Sequence, residues 1–154
     1  ALRGSFGIPP DSDRLAVVLD DGARYVAQHP ASTDVLMVDG FDARGQPPEL
    51  CSTAFYQACH AALRPGGVLV VNLHADDPEC EQRLQRLGRV FGGNGVQILA
   101  QEKSNCVVLA ARERPVDQRE MRRTGWAHLL PPALVTALQG EFAHIGWHAQ
   151  PLPG

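Results

Sequence analysis

The chain has 154 residues, 44% of them hydrophobic and 20% charged, with a formal net charge of −3. That length suits one globular domain with a sizeable core. The acid-leaning balance offers no basic face to nucleic acid or anionic lipid, and no apolar run approaches the roughly 20 residues of a membrane span, so neither partner is expected.

In chain order, "ALRGSFGIPP" lacks a charged region followed by an apolar stretch, so no signal peptide is visible and a cytoplasmic location is expected. "RLAVVLDD" (14–21) is an apolar run ending in acids, the pattern of a buried parallel strand. "ARYVAQH" (23–29) reads as a short helix stopped near Pro30, and "DVLMVDG" (34–40) as a second strand. After a Pro/Gly-rich loop, "STAFYQACHAAL" (52–63) reads as an amphipathic helix capped by Ser52 or Thr53, with Phe55, Cys59 and Ala62 inward. "RPGG" breaks it and "VLVVNLH" (68–74) forms a third strand. "PECEQRLQRLGRVF" (78–91) is a helix with Leu84, Leu87 and Phe91 inward. "GVQILAQE" (95–102) and "NCVVLAAR" (105–112) are close enough to form an antiparallel pair. "DQREMRRTG" and "PPALVTALQGEFAHIGW" read as one or two appended helices.

Cys51, Cys59, Cys80 and Cys106 show no CxxC spacing, and the neighbours Cys59 and His60 do not make a zinc site; buried filler in a reduced compartment and no metal are expected. Trp126 and Trp147 are expected to pack the C-terminal helices, and "RERPVDQREMRR" (112–123) to be a solvated face.

Alternating strands and helices predict a doubly wound sheet with helices on both faces. Right-handed crossovers put the carboxyl ends of its strands on one edge, where such sheets bind ligands. Asp20, Asp21, Asp39, Asp42, Asn72 and His74 all fall at or just beyond those ends. Asp39 and Asp42, three residues apart across a turn at Gly40, are expected to face one cavity and to suit a cationic ligand such as a di- or polyamine. The plain alternative is an Asp-Gly turn whose carboxylate satisfies loop amides. Asp21-Gly22 repeats the setting: its carboxylate fits an adenine amino group or a ribose, with helix capping as the alternative. His74 either touches substrate or is an ordinary, partly exposed histidine.

"DDGARYV…TDVLMVDGFDARGQPPELCSTAFYQACHAALRPGGVLVVN" resembles the spermidine synthase (polyamine aminopropyltransferase) family. That family's pattern runs Asp-Gly, about 18 residues, Asp-Ser-x-Asp-Pro-x-Gly-Pro, a Leu-aromatic pair, an aromatic-Tyr pair, then Leu-x-x-x-Gly. Asp21-Gly22, Asp39, Asp42, Gly45, Leu50, Phe55-Tyr56, Leu63 and Gly67 match without a gap, and the likeness covers roughly residues 5 to 112. It implies a Rossmann-like sheet of the class I S-adenosylmethionine-dependent methyltransferase type over residues 1–112, to which the C-terminal pattern adds an expected helical extension over 113–154.

The resemblance also implies roles. Asp39 would be the catalytic acid. Asp42, with Phe41 and His74, would bind a small-molecule amine such as putrescine, and Asp20, Asp21, Gly22, Gly40 and Leu50 would surround the nucleoside of decarboxylated S-adenosylmethionine. A homodimer is expected. A methyltransferase using S-adenosylmethionine itself, or a non-catalytic binding module, would also suit the fold. The chain departs from the pattern at Gly40-Phe41 (Ser-Ser in the family), at Ala43 and Gln46 (Pro), and at Leu73-His74-Ala75, so the acceptor stays open. No GxGxxG occurs, and "GGNG" (92–95) reads as a turn. The family carries its glycine-rich loop on two earlier strands. The expectation is therefore the later part of a catalytic domain, lacking those two strands, which in isolation binds cofactor poorly and is inactive.

Overall fold

The aliphatic, β-branched runs form the centre of a sheet in a computed structural model that describes residues 7–43, 45–99, 104–113, 131–136 and 149–153. β1 (Thr33–Val38) pairs in parallel with β2 (Leu63–His74), Val35 opposite Val68 and Val38 opposite Val71. β3 (Gly95–Leu99) and β4 (Asn105–Ala111) pair antiparallel, as their spacing predicted, and β4 lies antiparallel against β2. β3 therefore runs in the same direction as β1 and β2. A short β5 (Ala149–Pro151) adds to the outer edge of β3, giving the order β1-β2-β4-β3-β5 among the described residues. This is a mixed α/β, Rossmann-like sheet.

Helices α1 (Gly22–Gln28), α2 (Thr53–Ala62) and α3 (Cys80–Val90) fall close to their predicted places. Ser52 caps α2, its hydroxyl accepting from Phe55 N–H at 3.0 Å. Phe55, Tyr56 and Cys59 of α2 and Leu84 and Leu87 of α3 pack with Leu69, Val71 and Leu73 of β2 and Cys106, Val108 and Ala110 of β4. These strand residues alternate with period two, so all lie on one sheet face. Ala23 and Val26 of α1 pack on the margin of the same cluster. Among the described residues all three helices thus cover one face, where the alternation had predicted helices on both. On the other face Val35 is 57% and Met37 73% exposed.

Two further expectations change. The predicted strand at 14–21 does not form. Its ladder bonding is confined to an isolated bridge between Ser12 and Leu15, and Leu19 is 98% exposed. A strand needs a neighbour to satisfy its backbone, and no described strand lies alongside, so Val17 N–H turns to the Asp11 carboxylate at 2.9 Å. The helix at 52–63 does end before "RPGG", as expected, but the third strand starts at Leu63 and not Val68, so "RPGG" is an irregularity inside β2, where the register jumps from Thr33 opposite Leu63 to Val35 opposite Val68. Gly67 is needed there, because a Cβ would sit 3.1 Å from the Asp34 carbonyl oxygen.

Of the appended helices, residues 132–136 form a helical turn. Trp126, Trp147 and most of the 112–123 segment lie outside the described residues. Leu152, following β5, is buried in the core cluster, so the chain's end joins the sheet, which the helical reading of this region missed.

Candidate functional site

The sheet register builds the site. Val38, the last residue of β1, stands opposite Val71, so the next residues along the two chains, Asp39 and Asn72, are neighbours. Asn72 Nδ2 donates to Asp39 Oδ1 at 3.1 Å, while Asn72 Oδ1 is buried without a partner among the described residues. Two residues further on, Phe41 meets His74 at the end of β2, ring centroids 4.5 Å apart. Asp39, Phe41, Asn72 and His74 thus form one cluster at the carboxyl edge. Its open acceptors, a carboxylate and an amide oxygen, suit a ligand rich in N–H groups.

Leu50 ties this cluster to the Asp21 turn. Its Cδ2 lies 3.8 Å from where a Cβ on Gly22 would sit, and its Cδ1 2.7 Å from the corresponding point on Gly40. Gly40 therefore permits a close approach that a side chain would crowd. Asp21 itself caps α1, Oδ1 accepting from Arg24 N–H at 2.8 Å, and Asp20 pairs with the Arg24 guanidinium. The capping alternative for Asp21 is realised through one oxygen, which leaves Oδ2 for a ligand. Asp20 and Gly22, with Val18 and Tyr25, line a cavity of about 270 Å³.

Asp42 sits on a tight turn, its N–H donating to the Gly45 carbonyl at 2.8 Å and its carbonyl accepting from Gly45 N–H at 3.2 Å. It faces a cleft of about 690 Å³ shared with Gln46, Glu49, Asp77, Glu79 and Arg83. Asp39 is not among the walls of that cleft. The single cavity expected for both acids is accordingly split: Asp39 turns to Asn72, and Asp42 to the loop and the start of α3.

Sequence reasoning passed over three residues here. Asn72, noted only as a strand-end residue, interrupts the apolar run of β2. Arg83 falls on the inward stripe of α3, four residues before Leu87. It is 6% exposed and pairs with Asp77 at 2.9 Å and Glu79 at 3.4 Å. Gln46, where the family has proline, is 6% exposed with neither amide atom partnered among the described residues.

All four cysteines are free and buried. Burial pushes the Cys59 thiol up to about 12 and the Cys106 thiol up to about 11, and raises Cys51 and Cys80 as well. Thiols held protonated in this way are poor nucleophiles. Among the described residues no group of three metal-ligating side chains occurs, and no helix is long and apolar enough to cross a membrane.

Residues 4–92 match the family described as the spermine/spermidine synthase domain. Curated relatives include a polyamine aminopropyltransferase of Chromobacterium violaceum, 35% identical over 113 residues covering 73% of this chain and 43% of the relative. One from Pseudomonas syringae is 47% identical over 60 residues, covering 39% of this chain and 21% of the relative. A spermidine synthase solved with the transition-state analogue AdoDATO superposes with a TM-score of 0.61 at 25% identity, covering 80% of this chain and 46% of that one. The spermidine synthase of Thermotoga maritima, 22% identical, shares the fold with a TM-score of 0.57 over 90% of this chain and 54% of its own. The chain spans less than half the length of these curated relatives.

Proposed function

The chain belongs to the spermine/spermidine synthase family, and on that premise we propose that its full gene product transfers an aminopropyl group from decarboxylated S-adenosylmethionine to a small amine. The observation that carries this reading is the Asp39–Asn72 pair, a carboxylate held at the ligand-binding edge by the neighbouring strand.

An alkyl ammonium of pKa about 10 has no free lone pair at neutral pH. Asp39 accepts hydrogen bonds from the incoming nitrogen and takes its proton as the new N–C bond forms. The C–S bond of the sulfonium breaks, its electron pair passing to sulfur, and the products are methylthioadenosine and the lengthened amine. The sulfonium is a good leaving group, so positioning supplies most of the remaining acceleration. Asn72 holds the Asp39 carboxylate in one orientation, and its own Oδ1 is available to a second N–H. Asp42, Phe41 and His74 shape the acceptor side. Asp20, Asp21, Gly22, Gly40 and Leu50 border the nucleoside, with Asp21 Oδ2 directed to the adenine amino group. A cytoplasmic homodimer without a metal, with residues 113–154 forming an extension on the catalytic domain, completes the reading.

Calorimetry on the full gene product with methylthioadenosine, decarboxylated S-adenosylmethionine and S-adenosylmethionine tests it. Selective binding of the decarboxylated form, with methylthioadenosine released once putrescine is added, is the expected result. Preference for the carboxylated form points to methyl transfer, and binding of none to a non-catalytic module; either sinks the proposal.

A further inference from the structure

The groove between α2 and α3 holds a second set of polar groups, none of which the transfer step uses. Thr53, Gln57 and His60 of α2 and Arg89 and Val90 of α3 line a cavity of about 350 Å³, within the usual range for a small-molecule site. Thr53, Gln57 and His60 are spaced i, i+4 and i+7, so they form one stripe along α2. That stripe lies on a different face from the buried Phe55, Cys59 and Ala62. Every polar side chain in the cavity can donate a hydrogen bond, and none is a carboxylate. This is a distinct local balance in a chain with 17 acidic residues against 14 basic ones.

Arg89 gives the cavity its charge. It makes no ion pair among the described residues. Its Nε donates to the Gln85 carbonyl at 3.2 Å, which orients the guanidinium. The two terminal nitrogens remain, and they can grip an oxyanion through two parallel hydrogen bonds. Arg86, three residues before it, adds a second cation to α3 while donating to the Cys51 carbonyl at 3.1 Å.

The neutral donors are held in place around that charge. The His60 imidazole packs edge-on against Phe91, ring centroids 5.1 Å apart. Burial, and then the Arg112 cation, lower its pKa, so at neutral pH the ring offers one N–H and no charge. Glu113, the acid that acts on it in the opposite sense, is paired with Arg112 at 3.5 Å. The Thr53 hydroxyl and the Gln57 amide make no hydrogen bond among the described residues.

We propose that this cavity binds a compact dianion, the phosphoryl or dicarboxylate group of a small metabolite, with the Arg89 fork pairing its charge and Thr53, Gln57 and His60 donating to its remaining oxygens. The cavity shares no lining residue with the Asp39–Asn72 cluster or with the cavity beside Asp20. It is therefore a site apart from acceptor and nucleoside, and it does not depend on the aminopropyl-transfer reading.

Calorimetric titration of the full gene product with inorganic phosphate and with succinate at low salt tests this, in wild type, Arg89→Gln, Arg89→Lys, Thr53→Val and Arg64→Gln. The expected result is one saturable site for at least one of the two anions, weakened about 10-fold or more in both Arg89 variants. Phosphate alone assigns a phosphoryl group, and succinate alone a dicarboxylate. Thr53→Val removes one donor and no charge, and should weaken binding about 5-fold. Arg64, an exposed arginine that pairs with Asp34 outside this cavity, should be replaceable by Gln without effect. Arg89→Lys keeps a cation at the end of α3 but loses the planar fork, so an Arg89 that served only the helix end would tolerate it. No saturable binding of either anion, binding retained in either Arg89 variant, or an equal loss in Arg64→Gln would overturn the proposal.

Discussion

Two turns of this molecule share one composition and put their carboxylates to different uses. At Asp21-Gly22 a helix begins immediately, and the exposed N–H of Arg24 claims one carboxylate oxygen. At Asp39-Gly40 no helix follows, and the carboxylate is met from the side by Asn72 of the next strand. Whether an acid before a glycine caps a following helix or is met by a neighbouring strand therefore depends on what backbone comes after the glycine. In the first turn the carboxylate contributes to folding; in the second, on the proposed reading, it is a preorganised acceptor.

Substitutions sharpen that contrast. The largest effect is expected from Asp39→Asn in the full gene product: transfer falls on the order of 10²- to 10⁴-fold, while melting temperature and methylthioadenosine binding hold. Unchanged turnover would remove Asp39 from the chemistry. Asn72→Ala comes next, losing roughly 10- to 100-fold in turnover, as one hydrogen bond to a charged group allows, again without loss of fold. Gly40→Ala brings a methyl group against Leu50 and should cost about 1–2 kcal/mol, seen as weaker nucleoside binding; since the contact is the tip of a leucine, unaltered binding would mean that Leu50 simply moves aside. Asp21→Ala should lower stability by about 1 kcal/mol through the lost cap. Asp21→Ser restores the cap and the melting temperature while nucleoside binding stays weak. If Asp21→Ser instead restores both, the carboxylate serves folding alone.

The smallest effect lies away from both turns. Burial lowers the pKa of His60, which packs edge-on against Phe91. The fold favours the neutral ring, so stability is complete above about pH 6.5 and declines below it, where the unfolded chain takes up the proton. His60→Gln should flatten that decline, and a thermal-melt series from pH 7.5 to 5.5 would read it.

Elements with strong local signals were legible in the sequence. The β2 run, the Ser52 cap, the inward stripes of α2 and α3 and the antiparallel β3–β4 pair depend on residues near one another in the chain. The segment at 14–21 was misread because its apolar pattern specifies a buried strand only when neighbours exist to pair with it. The end strand β5 was missed because three residues carry no periodicity. At the site, Asp39 and Asp42 stood out as acids ending an apolar run, but their separation across the turn did not, since spacing alone does not fix side-chain direction. Asn72 becomes significant only through the β1–β2 register, and Gln46 only through its burial.

The most direct test of the central claim, that Asn72 acts through the Asp39 carboxylate, is a double-mutant cycle of Asp39→Asn and Asn72→Ala read as single-turnover aminopropyl transfer at saturating substrates. Acting as a unit, the pair should give a double variant no slower than Asp39→Asn alone. Losses that multiply across the two positions would contradict the account.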